Sequence, residues 1–124
     1  MKKEEFFTID NTTQGAEGDL TFQVSLNSDC EVYKGHFPGQ PIAPGVCLLA
    51  MISDCAKVKL QQDSKKLRLG TIKRCKLMHP VIPGSVKNME IKVIADYETL
   101  SFDAVLYDSE YQYVTMNATL VAAE

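Results

Sequence analysis

At 124 residues, with 45% apolar and 23% charged side chains, the chain reads as a single domain, 1–124, of ordinary globular composition. A net charge of −3 and an isoelectric point near 5.4 argue against a nucleic-acid binder, which carries a basic surface. No apolar run approaches the roughly 20 residues that span a bilayer, and Met-Lys-Lys-Glu-Glu-Phe-Phe lacks the apolar stretch of a secretory leader, so a cytoplasmic protein without a membrane span is expected.

In chain order, residues 4–10 form a plausible first strand, followed by a polar loop through Gly15 and Gly18. Leu20, Phe22, Val24 and Leu26 then alternate with Thr21, Gln23 and Ser25, the pattern of a half-buried strand. Residues 28–43 carry too much proline and glycine for regular structure and are expected to form an ordered loop. A helix over about 44–60 follows. Pro44 suits the first helical position, where its missing N–H is no loss. From Val46 to Ile52 every residue is apolar, so this part of the helix is expected to be enclosed by other structure.

Residues 69–78 read as a strand stopped by His-Pro-Val-Ile-Pro-Gly, and 87–96, 99–107 and 111–122 as three more. In the first of these Met89, Ile91, Val93 and Ala95 alternate with Glu90 and Lys92. In the last, Val114, Met116, Ala118 and Leu120 oppose Tyr113, Thr115, Asn117 and Thr119. The expected class is α+β: an antiparallel sheet of five to six strands wrapped round one long central helix. A sheet edge left exposed by that arrangement is expected to pair with a second copy. The four cysteines, Cys30, Cys47, Cys55 and Cys75, show neither CxxC pairing nor zinc spacing, so they read as reduced thiols with no metal. The two in the helix behave as small hydrophobes.

The densest signal lies at 35–54, which opens with one of only two histidines and holds three of the five prolines and three of the seven glycines. His36-Phe37-Pro38-Gly39-Gln40-Pro41-Ile42-Ala43-Pro44-Gly45-Val46 resembles the HFPGxPIxPGV signature of the hot-dog-fold 3-hydroxyacyl-acyl-carrier-protein dehydratases. Pro80-Val81-Ile82-Pro83-Gly84 resembles that family's PVxPGD turn, with Ser85 in place of the aspartate. The likeness runs in order from about Asp19 to Ala122.

The resemblance implies a hot-dog fold, a site at a dimer interface, and dehydration of a 3-hydroxyacyl thioester to the trans-2-enoyl thioester in fatty acid or related lipid or polyene biosynthesis. It implies no cofactor of the protein's own, the substrate being carried on phosphopantetheine. His36 takes the role of base, the Gly45 and Val46 amides that of oxyanion donors. The acyl chain lies in a tunnel along the helix. The family's helix acid falls on Ala50, which transfers no proton. Asp54, one turn further on the same face, is the candidate to replace it. It sits among Met51, Ile52, Cys55 and Ala56, where a carboxylate is costly unless paired or protonated. The other reading of Asp54 is a partly solvated or structural residue.

Eight of the thirteen Lys and Arg fall between 57 and 76, against one acid, Asp63. This is either a solvated face or a dock for acyl carrier protein through Lys65, Lys66, Arg68 and Arg74. His79, Tyr33 and Phe37 read as structural. The implied assembly is a homodimer, a higher oligomer, or a heterodimer with a homologue. In the last case the chain is an accessory subunit completing a mixed site. A hot-dog thioesterase, which has no need of the HFPG histidine, is the remaining alternative.

Overall fold

The computed structural model describes residues 6–15, 18–35, 42–60, 66–86 and 88–122. Its elements run β1 (Phe7–Gln14), β2 (Leu20–Leu26), α1 (Val32–Gly35), α2 (Gly45–Leu60), β3 (Leu67–Leu77), β4 (Met89–Asp96), β5 (Ser101–Tyr107) and β6 (Gln112–Ala122). Among the described residues the strands form one six-stranded sheet in the order β1-β2-β4-β5-β6-β3, every neighbour antiparallel. Consecutive strands β4, β5 and β6 are joined by tight turns. The helix is inserted between β2 and β3, which lie far apart in the sheet.

Side chains alternate as their sequence does. Phe22 and Val24 on β2, Met89, Ile91 and Val93 on β4, Phe102, Ala104 and Leu106 on β5, and Val114, Met116, Ala118 and Leu120 on β6 are all buried. They form one core with Leu48, Met51, Ile52, Cys55, Ala56 and Leu60 of α2. Those helix residues recur at three- and four-residue steps, the spacing of one face. Phe102 lies at the centre of the sheet, 2% exposed. Phe102→Ala is expected to cost about 3–5 kcal/mol in stability. A urea-unfolding loss below about 1 kcal/mol would show that the core is not packed around it.

Four expectations are corrected. The first strand, expected at residues 4–10, runs over Phe7–Gln14, residues 4 and 5 lying outside the described residues, because Asn11–Gln14 pair with Leu20–Gln23 although their side chains are polar and exposed. An edge strand with one solvated face accepts such residues. Within 28–43 a short helical turn, α1, forms at Val32–Gly35. Tyr113, placed with the polar row, is buried.

The fourth correction matters most for function. The helix is not enclosed on all sides: in the single chain Val46 is 75% exposed, and Ala50 and Val58 also face outward. One curled sheet covers one side of a helix, so the apolar residues on the other side have no cover of their own. β3 shares this condition. Among the described residues it hydrogen-bonds only to β6, and its Ile72 and Leu77 are 40% and 55% exposed.

Candidate active site

The segment before α2 is held by the chain's second Pro/Gly motif. The Ala43 N–H donates to the Val81 carbonyl at 2.8 Å, so the two motifs named from the sequence are stitched side by side. Gly45 then opens the helix against the end of β3. A Cβ added there would stand 3.1 Å from Leu77 Cδ1, tighter than ordinary contact, so glycine lets the helix start approach the strand.

Among the described residues, the first turn leaves two donors without an acceptor. The Cys47 and Leu48 N–H groups both turn back to the Pro44 carbonyl, at 3.0 and 3.1 Å. Pro44 has no N–H, and the N–H groups of Gly45 and Val46 bond to nothing among the described residues. They carry the partial positive charge of a helix N-terminus. Beside them lies a cleft of about 200 Å³ lined by Ala43, Gly45, Leu48, Leu77, Met78, His79, Pro80 and Val81. That volume holds a few heavy atoms of a ligand, not a long acyl chain. The outer wall that a tunnel along α2 requires is not supplied by the chain's own described residues.

His36, Phe37 and Lys65 lie outside the described residues. Ala50 and Asp54 share the outward face of α2, about 6 Å apart along the axis. The surroundings predicted for Asp54 are corrected. It points away from Met51, Ile52, Cys55 and Ala56, its side chain is 56% exposed, and it pairs with Lys57 at 3.6 Å. Nine residues separate Asp54 from Gly45, about 13–14 Å at 1.5 Å per residue. The acid candidate and the oxyanion donors of one chain therefore do not meet in one cleft.

The basic stretch divides. Lys57 holds Asp54, and Lys59 reaches the Gly18 carbonyl with its Nζ 5.4 Å from the centre of the Tyr97 ring. Lys66, Arg68 and Arg74 are exposed, with no ion pair among the described residues. Lys66 and Arg68 stand at the far end of β3 from Gly45. Arg74 lies opposite Asn117 on the sheet's outer face.

His79 is the residue whose place the sequence did not disclose. Its ring stacks on Tyr111, 4.3 Å between centroids, and it lines the cleft at the helix start. Its position directly before Pro80, in the motif that Ala43 grips, was the available signal. Tyr33 packs near Phe6 with ring centroids 6.1 Å apart and is buried, and its hydroxyl has no hydrogen-bond partner among the described residues. Burial, with Cys30 and Cys47 nearby, pushes the Tyr33 phenol up to about 12. Burial first, then Cys30, raises Cys47, and burial together with Asp54 pushes Cys55 up to about 12. These thiols are held protonated, the opposite of an activated nucleophile.

Residues 11–116 match the family model described as ApeI-like, ApeI dehydratase. Several bacterial 3-hydroxyacyl-[acyl-carrier-protein] dehydratases FabZ are similar in sequence. The Fusobacterium nucleatum protein is 30% identical over 101 residues, covering 73% of this chain and 70% of its own length. The Clostridium acetobutylicum protein is 32% identical over 68 residues, covering 52% of this chain; the chain spans about half of that relative's length, 48%. Among solved structures, the dehydratase heterocomplex ApeI:P from Xenorhabdus doucetiae shares the fold, with a TM-score of 0.75 at 21% identity over 97% of this chain and 98% of that one. Among the described residues no helix is long and apolar enough to cross a membrane.

Proposed function

Since the chain belongs to the ApeI-like dehydratase family, we propose that it removes water from a 3-hydroxyacyl thioester carried on acyl carrier protein, giving the trans-2-enoyl thioester. The observation that carries this reading is that the Gly45 and Val46 N–H groups find no acceptor among the described residues, at a helix start whose Gly45 lines a cleft between the two Pro/Gly motifs. The thioester oxygen is bound there. The neutral His36 imidazole takes the proton from the α carbon, and the electron pair moves towards the thioester. The β-hydroxyl leaves as water once an acid has protonated it. Negative charge on the thioester oxygen is what the two amides stabilise.

The acid comes from the outward face of α2, across a dimer interface, where Asp54 stands one turn beyond Ala50. A second subunit laid along β3 covers Val46, Ala50, Ile72 and Leu77 and supplies the missing wall for the acyl chain. Antiparallel pairing about the middle of β3 brings Lys66 and Arg68, roughly 30 Å from the strand's other end at 3.3 Å per residue, beside the partner's helix start. There they are placed to receive an acidic carrier protein.

The test is turnover by the pure protein of 3-hydroxyacyl and trans-2-enoyl thioesters, carried on acyl carrier protein and on free pantetheine. Dehydration, with hydration in reverse, is expected. Lys66→Glu/Arg68→Glu is expected to raise KM roughly tenfold for the carrier-bound substrate only. Thioester hydrolysis in place of dehydration would defeat the reading.

A second reading is favoured by Ala50 itself. Its methyl group occupies the outward position where the resemblance places an acid, while Asp54 is already engaged by Lys57. In that case the chain is an accessory subunit: its His36 works with the acid of a homologous partner in a mixed site. The ApeI:P structure is a dehydratase heterocomplex, which suits this arrangement. The pure protein is then inactive until the homologue is added.

A further inference from the structure

We propose that the outer face of the sheet, turned away from α2, binds a long-chain carboxylate, its head held by Lys73 and Arg74 and its chain laid over Val105 and Ile94. The proposal takes up Arg74, which the proposed reaction leaves without a role, and it does not rest on that reaction.

Successive residues of a strand point to opposite faces. Ile72 pairs with the buried Ala118, so it lies on the α2 side and Lys73 on the outer side. Strict alternation would return Arg74 to the α2 side. The register instead shifts between Ile72 and Arg74, and Arg74 pairs with Asn117. Asn117 stands between Met116 and Ala118, both buried, and therefore faces outward. The inserted residue sets two adjacent cations on one face, which is how a bulge re-aims side chains at a site. Both are exposed, and neither has an ion pair among the described residues.

These two cations stand at one end of a groove of about 480 Å³ that crosses β3, β6, β5 and β4, a volume in the range of small-molecule sites. Val105 and Ile94 lie on its floor, where the solvated face of a sheet ordinarily carries polar side chains. Lys92 closes the far end. Asp19 holds its ammonium at 3.7 Å, which leaves its methylene stem to the groove. Asp103, the acid of the lining, accepts a hydrogen bond from the Asn117 amide at 2.7 Å. It repels a second negative charge midway, so the ligand's charge belongs at the β3 end.

The lining selects among anions. No aromatic ring is among its described residues, so a nucleobase has nothing to stack on. A bare inorganic anion would leave Val105 and Ile94 uncovered. A carboxylate on an unbranched alkyl chain uses both parts: the Arg74 fork takes its two oxygens, with Lys73 beside it, and the chain covers the aliphatic floor. From β3 to β4 is three strand spacings, about 14 Å, close to the extended length of dodecanoate.

Isothermal titration calorimetry of the whole protein with dodecanoate, and with acetate as the bare head, tests this in wild type, Lys73→Ala/Arg74→Ala and Val105→Asp. Circular dichroism melting checks the fold of each. Dodecanoate is expected to bind once per chain, roughly tenfold more weakly in either variant and more weakly at high salt. Backbone amide resonances at Lys73, Arg74, Asp103 and Val105 are expected to shift as it binds. No heat from dodecanoate up to about 1 mM overturns the proposal, as does acetate binding as tightly as dodecanoate. Unweakened binding in Lys73→Ala/Arg74→Ala, with shifts confined to α2 and the Gly45 end, also overturns it, by placing the chain in the catalytic cleft. So does a dimer that forms without dodecanoate and is lost in Val105→Asp, since a second copy then fills the groove. Lys73 and Arg74 are exposed, so their variant decides even where Val105→Asp does not fold.

Discussion

Replacing His36 with alanine is expected to lower dehydration by about 100- to 10,000-fold, the range over which a positioned general base contributes. The α proton of a thioester needs a base that is unprotonated near neutral pH, and an imidazole with an ordinary pKa of about 6.5 supplies one. The sign follows: the neutral form acts, so kcat/KM should fall as the pH is lowered, and that limb should vanish in His36→Ala. The control is His79→Ala. His79 lines the cleft at the helix start, with its ring against Tyr111. It is expected to change turnover severalfold at most. A large loss in His79→Ala with none in His36→Ala would exchange the two roles.

The second large effect concerns the acid. If the homodimer works alone, Asp54→Asn should lower turnover by about 100-fold or more, and Ala50→Glu in that background should restore part of it. If the chain is an accessory subunit, Asp54→Asn should leave the mixed complex unchanged, and Ala50→Glu should give the pure protein activity it lacked. The fold is not at stake in either case. Asp54 and Lys57 form an exposed pair three residues apart, worth a few tenths of a kcal/mol at most. A loss of rate with an unchanged melting curve is therefore chemical. Equal rates in all four proteins would remove both residues from the reaction.

Much of the architecture was legible because half-buried strands record their own burial. Phe22 and Val24, Met89, Ile91 and Val93, and Val114 to Leu120 all lie where alternation put them. The helix was legible too, from Pro44 and the return of lysines at 57 and 59. What the sequence could not separate was an apolar residue facing its own core from one facing another chain. Val46 and Ala50 have the composition of buried residues and the position of exposed ones. The same ambiguity misplaced Asp54, judged by its sequence neighbours when the face of the helix decides its surroundings. Residues 11–14 were read as loop because their partners on β2, not their own polarity, make them a strand. The Ala43–Val81 bond joins segments almost forty residues apart, and no local pattern announces it.

The position of β3 in the sheet also sets an order in time. Among the described residues its sole strand partner is β6, and residues 78–111 intervene between the two strands. The hairpins β4-β5 and β5-β6 close over short loops and can zip as soon as they are made. β3, synthesised earlier than all three, must wait for the last strand before its first ladder bond can form. During synthesis it is therefore an unpartnered apolar and basic segment, and the surface proposed for a second subunit exists only once β6 has been made. Assembly along β3 is thereby postponed until β6 has been made.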